Sequence, residues 1–123
     1  MEFTWSSGDL AEGLACYRRK EFFAAHEHWE QVWRQCQGQP KLFLQGLIQV
    51  ACAFHHFQRN NLGGATSLLA TALQKLEPCG DIYAGISVGR LREELRHWLR
   101  DLASSQSSAR TFPEIYLAPG AGE

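Results

Sequence analysis

The sequence predicts an all-α fold, a compact antiparallel bundle of about five helices with a docked C-terminal tail. Three observations carry this prediction. Apolar residues recur at helical spacing through every long segment, period-2 alternation is absent from all of them, and short Gly, Pro and Asn punctuation separates them. A chain of 123 residues suffices for one domain with a real core. The expected division is a single bundle over 1–103, then a linker and apolar strap over 104–123.

Asp9 is the expected N-cap of a first helix reaching Lys20, with Leu10, Leu14 and Tyr17 on one face. A second helix follows almost directly, from Glu21 to Gln35. Gly38-Gln39-Pro40 is turn chemistry, glycine ending one helix and proline opening the next, so the third runs from Pro40 to Gln58. Asn60-Asn61-Leu62-Gly63-Gly64 breaks the pattern before a fourth helix from Ala65 to Leu76, with Leu68, Leu69, Ala72, Leu73 and Leu76 at core spacing. Pro78-Cys79-Gly80-Asp81 begins a loop reaching Gly85. Ser87 is the expected cap of a fifth helix to Leu102, whose apolar face is Leu91, Leu95, Trp98, Leu99 and Leu102. Ser104 to Ser108 reads as a polar linker. Beyond it, Phe112, Ile115, Tyr116 and Leu117 are too apolar to stay solvated and are expected to dock as an extended strap, on the chain's own bundle in preference to a second subunit.

The third helix is central. Leu44, Leu47, Ile48, Ala51 and His55 share one face, while Phe43, Gly46, Val50, Ala53, Phe54 and Phe57 cover much of the opposite one. A helix apolar nearly all round is packed by neighbours on several sides. Its exception is a narrow polar strip of Gln45, Gln49, Cys52 and His56. Gly46 and Ala53 would let another helix approach closely.

Charge and cysteine usage exclude several classes. The net charge of −1 argues against a broad nucleic-acid footprint, which needs a basic excess. The four cysteines form no C-x-x-C pair, so a zinc cage built from them is not expected, and their apolar surroundings suggest reduced thiols in the cytoplasm. Residues 1–10 lack the basic flank and apolar stretch of a signal peptide. The longest strongly apolar run, Leu42 to Phe57, is interrupted by Gln45, Gln49, His55 and His56, so no membrane span is expected.

The most informative stretch is His26-Glu27-His28-Trp29-Glu30-Gln31-Val32-Trp33. At about 100° per residue, Phe22, Trp29 and Trp33 fall within about 20° of a common direction, with His26 about 40° and Glu30 about 80° from Phe22. A histidine and a carboxylate one turn apart are thus embedded in an aromatic stripe that should face a core, where unpartnered charge costs several kcal/mol or shifts its pKa. Pairing residues equidistant from the turn between the second and third helices sets Glu30 near Gln45 and His26 near Gln49. The expectation is a buried polar cluster of His26, Glu30, Gln45, Gln49 and His55. Glu27 projects away, beside Arg34, and is expected in a surface ion pair.

The combination His26-Glu27-x-Trp29-Glu30-x-x-Trp33, then Phe43-Leu44-Gln45-Gly46-Leu47-Ile48-Gln49 with His55, then Asn61-Leu62-Gly63-Gly64-Ala65, resembles a small bacterial and archaeal helical family, domain of unknown function 309. The resemblance covers Leu14 to Leu99. It implies a compact α-helical bundle and no assigned activity, and the motif positions it carries over are His26, Glu27, Glu30, Trp33, Gln45, Gly46 and His55.

Three roles are open to the cluster. A satisfied network of His26, Glu30, Gln45, Gln49 and His55 would fix helix register and specify a unique core. As a metal site, His26, Glu30 and His55 would supply two imidazoles and one carboxylate, a set suited to zinc or iron. As a hydrolase, Glu30 or His26 would act as general base, with Cys52 the one candidate nucleophile. Against the metal stand the lack of a second acidic helix facing Glu27-x-x-Glu30 and of a histidine at position 30 for a His-Glu-x-x-His motif. The sequence therefore favours a cytosolic helical-bundle protein with a binding or assembly role over an enzyme. It carries no expected cofactor and no nucleic-acid or membrane partner; a homodimer or protein partner would be met through the C-terminal strap and through Trp5 and Trp98. The alternative is a metal-dependent or small-molecule-binding protein, hydrolases included, that uses the same residues: His26, Glu27, Glu30, Gln45, Gln49 and His55.

Overall fold

The structure, a computed structural model, describes residues 2–104 and 111–119. Its helices are α1 (Gly8–Arg18), α2 (Phe22–Trp33), α3 (Gly38–Gln58), α4 (Leu62–Leu76) and α5 (Val88–Ala103). Between α4 and α5 lie a short 3-10 helix, Glu77–Cys79, and an antiparallel ribbon of β1 (Ile82–Tyr83) and β2 (Ile86–Ser87). The all-α bundle is as the periodicity predicts, and no helix among the described residues is long and apolar enough to cross a membrane.

α3 lies at the centre, packed against α2 on one side and α4 on the other, with α1 on α2 and α5 on α4. Phe43, Leu44, Leu47, Val50, Ala51, Ala53 and Phe54 of α3 are fully buried, as an all-round apolar helix requires. At Gly46 the two helices approach closely: a Cβ there would lie 2.9 Å from Leu76 Cδ2. A second close crossing was not foreseen. Gly13 of α1 sits directly on Trp29 of α2, whose indole Nε1 donates to the Leu10 carbonyl oxygen at 3.3 Å.

Several element ends differ from the sequence reading. α1 is preceded by Ser7 and begins at Gly8, and Asp9 sits inside its first turn, where its carboxylate meets His28 Nδ1 at 2.9 Å. α4 begins three residues earlier than expected, because Asn61 caps it: its Oδ1 accepts from Gly64 N at 3.1 Å. Asparagine capping therefore overrides the helix-breaking tendency of Gly63-Gly64. The loop expected to reach Gly85 contains the β ribbon, whose two-residue strands are too short to leave a period-2 signal. Ser87 precedes α5 as expected but its side chain makes no cap hydrogen bond.

The strap lies along its own bundle. Leu117 forms a bridge with Ile86, Ser87 N donates to the Tyr116 carbonyl oxygen, and Ala118 N donates to that of Gly85. Ile115 is fully buried, and the Phe112 ring stacks on Trp98 at 5.4 Å and 6°. Trp5 and Trp98, considered above as an exposed contact surface, are 5% and 1% exposed. Trp5 is held inward by Nε1 donating to the Ala84 carbonyl oxygen. Apart from Ser104, the linker read at Ser104 to Ser108 lies outside the described residues.

Candidate functional site: the α2–α3 seam

The histidine and the carboxylate do find each other. His26 Nε2 lies 2.9 Å from Glu30 Oε1, one helical turn apart, and His26 Nδ1 lies 2.9 Å from the carbonyl oxygen of Phe23. Both neighbours are acceptors, so a neutral imidazole can donate to only one of them at a time. The Phe23 ring packs edge-on to His26, with centroids 4.9 Å apart, and against His55 of α3 at 5.2 Å. His55 is followed by His56, 6.2 Å away, whose Nδ1 meets Asn61 Nδ2 at 3.0 Å.

This group is not buried. The side chains of His26 and Glu30 are 18% and 34% exposed, and no polar or charged residue among those described is fully buried. The expected interior network is therefore a half-open seam. α3 begins at Gly38, and Lys41 Nζ lies 4.3 Å from the Trp33 ring centre at the end of α2. Glu30 lies within electrostatic reach of Cys52, and His26 of His55, further along α3 than arithmetic from the turn suggests.

The glutamines drop out of the cluster. Neither Gln45 nor Gln49 hydrogen-bonds to His26, Glu30 or His55, and the Gln49 Oε1 is buried without a hydrogen-bond partner among the described residues. Trp33 Nε1 is in the same condition. Glu27 is exposed and forms no ion pair with Arg34. His28, which the motif gave no reason to weigh, ties α2 to Asp9 of α1.

Electrostatics limit what the seam can do. Burial and the nearby Glu30 carboxylate push the Cys52 thiol up to about 11, so it stays protonated near neutral pH and is a poor nucleophile. Burial, with Arg59, His56 and His26 close by, holds the His55 imidazole below the ordinary histidine value. No three His, Cys, Asp or Glu side chains among the described residues are grouped so that they could hold a metal ion. His26 and Glu30 engage each other and His55 faces the Phe23 ring, so the three side chains of the alternative zinc or iron reading are not grouped as a ligand set.

The model of the family described as a domain of unknown function, DUF309, matches residues 10–68. Residues 10–68 are thus similar to DUF309, over just under half of the chain. The matched segment spans nearly all of α1, all of α2 and α3, and the first half of α4, and thus every residue of the seam. An uncharacterized protein of Aquifex aeolicus is 29% identical over 99 residues, 80% of this chain and 26% of that protein. The uncharacterized protein YpuF of Bacillus subtilis is 32% identical over 59 residues, 47% of this chain and 34% of YpuF. The chain thus aligns with only about a quarter to a third of the length of these relatives.

Proposed function

We propose that this chain is a binding and assembly module that engages a protein partner through the α2–α3 seam, with Phe23 as its anchor. The observation that carries the reading is the state of Phe23, which is 50% exposed yet flanked by the rings of His26 and His55. A large ring facing water gains most when a partner covers it. One already fixed by its neighbours loses little side-chain freedom on binding, which is the property of an interface anchor. His26 and Glu30 would form the polar rim, offering both donor and acceptor beside the ring. The match to parts of longer relatives supports a module that works alongside other domains.

The test is site-specific photo-crosslinking in cells, with a photoreactive phenylalanine analogue at position 23 and, as control, at the exposed Glu12 of α1. The reading expects a discrete adduct from position 23 that is lost in a Glu30→Ala background. Adducts of equal pattern from both positions, or none from position 23, would remove Phe23 as an anchor.

A further inference from the structure

The strap occupies a groove lined by α1, α5 and the β ribbon, with rings of α2 and α3 around its Phe112. Polar contacts between the two are made almost entirely to the strap's main chain. Trp98 Nε1 donates to the Thr111 carbonyl oxygen at 3.2 Å, Tyr17 Oη to that of Pro113 at 2.7 Å, and Arg18 Nη2 to that of Ile115 at 3.1 Å. Ser87 N donates to Tyr116 O, and Gly85 O accepts from Ala118 N. Side chains add selectivity at four of the five positions from Phe112 to Tyr116. Phe112 enters a nest of rings, stacked on Trp98 and edge-on to Phe22, Phe54 and Phe57. Glu114 pairs with Arg18 at 2.9 Å, Ile115 is fully buried, and the Tyr116 ring lies 3.7 Å beneath the Arg90 guanidinium.

Main-chain recognition of an extended segment with pockets for particular side chains is how peptide grooves work. We infer that this groove is a receptor for an extended aromatic-Pro-acidic-aliphatic-aromatic segment, and that residues 111–119 of a second copy of the chain can fill it in exchange for its own. The occupant is identified by complementarity over five successive residues, Phe112 to Tyr116, which this chain itself carries. None of the contacts depends on which molecule the strap comes from. Exchange of an identical element therefore conserves every groove contact, and only the six-residue tether, 105–110, favours the intramolecular arrangement. Covalent linkage through a short segment gives an effective concentration on the order of millimolar, so the unmodified chain keeps its own strap at ordinary concentrations. The inference is independent of the role of the α2–α3 seam.

The Arg18–Glu114 pair gives a test that leaves the core untouched, since both side chains are more than two-fifths exposed. Full-length Arg18→Glu and Glu114→Lys variants each place like charges together when the strap docks on its own groove. When the two are mixed, reciprocal exchange restores opposite charges at both grooves: the native pair at one and the reversed pair at the other. Native mass spectrometry of each variant and of the equimolar mixture reads the result. Monomers of each alone and a 1:1 heterodimer in the mixture are expected, with the heterodimer lost when the donated strap also carries Phe112→Ala. A mixture that stays monomeric overturns exchange between copies. A heterodimer that survives Phe112→Ala overturns the groove as its site. A labelled peptide of residues 111–119 added to full-length Phe112→Ala/Ile115→Ala protein checks the receptor separately: saturable binding supports it, and no binding refutes it.

Discussion

His26 and Glu30 are joined at 2.9 Å across one turn of α2, on a surface that water reaches. An ion pair in that setting contributes little to folding, about 0.3–0.5 kcal/mol for helical pairs one turn apart. We therefore expect Glu30→Gln to lower the unfolding free energy by less than about 1 kcal/mol, measured by urea denaturation at neutral pH. A loss of about 3 kcal/mol or more is what breaking a buried pair costs and would restore the interior network as the role of these residues.

Cys52 gives a chemical readout of the same seam. With its thiol pushed up to about 11 by burial and by Glu30, only a minute fraction is thiolate at pH 8. Alkylation by iodoacetamide at pH 8, followed residue by residue by mass spectrometry, should be far slower at Cys52 than in the urea-unfolded chain. Glu30→Gln should speed it without unfolding the protein, because the carboxylate is the second cause of the shift. Labelling of Cys52 at the unfolded rate in the native chain would contradict this environment.

What could be read from sequence follows from where the information lies. α3 announces itself because its apolar residues cover nearly the whole circumference, and α2 because Phe22, Ala25 and Trp29 repeat on one face. The strap's docking is legible in the density of apolar side chains after the polar linker. The seam was only half legible. His26 and Glu30 are paired by α-helical geometry alone, but the level at which they meet α3 is set by tertiary packing, which counting from the turn does not encode. Cys52, within electrostatic reach of Glu30, stands seven residues or about two turns beyond Gln45 on the same polar strip, so the difference is one of level and not of face. The Asn61 cap and the Gly13–Trp29 crossing are tertiary or short-range features that periodicity does not encode.

Gly13 carries a sharp stability prediction. A Cβ at this position would stand 2.3 Å from Trp29 Nε1 and 2.4 Å from its Cδ1, well inside contact distance. The indole is fully buried and stacked beside Tyr17, so it has little room to withdraw. Alanine is ordinarily the better helix former by up to about 1 kcal/mol, so without the clash Gly13→Ala would stabilise the protein. With it, overpacking of about 1–3 kcal/mol and loss of the Trp29–Leu10 hydrogen bond should prevail. The expected outcome is a lower thermal midpoint in calorimetry together with altered tryptophan fluorescence. A raised midpoint would mean that α1 and α2 cross further apart.

The His55 imidazole predicts how stability responds to acid. It is held below the ordinary histidine value by burial, by Arg59 and His56 on its own helix and by His26 on α2, while Phe23 covers its face without charge. In the unfolded chain a histidine titrates near 6.5, above the folded value. Between the two, the unfolded state binds more protons, so this contribution is complete above about 6.5 and declines as pH falls through the window just below it. Urea midpoints taken from pH 7.5 to 5.5 should therefore fall in the native protein, and His55→Gln should flatten part of that fall by removing the proton that the folded state resists. Carboxylates titrate lower and contribute little in this window. An equal slope in the variant would show that His55 ionises as freely in the folded seam as in the unfolded chain.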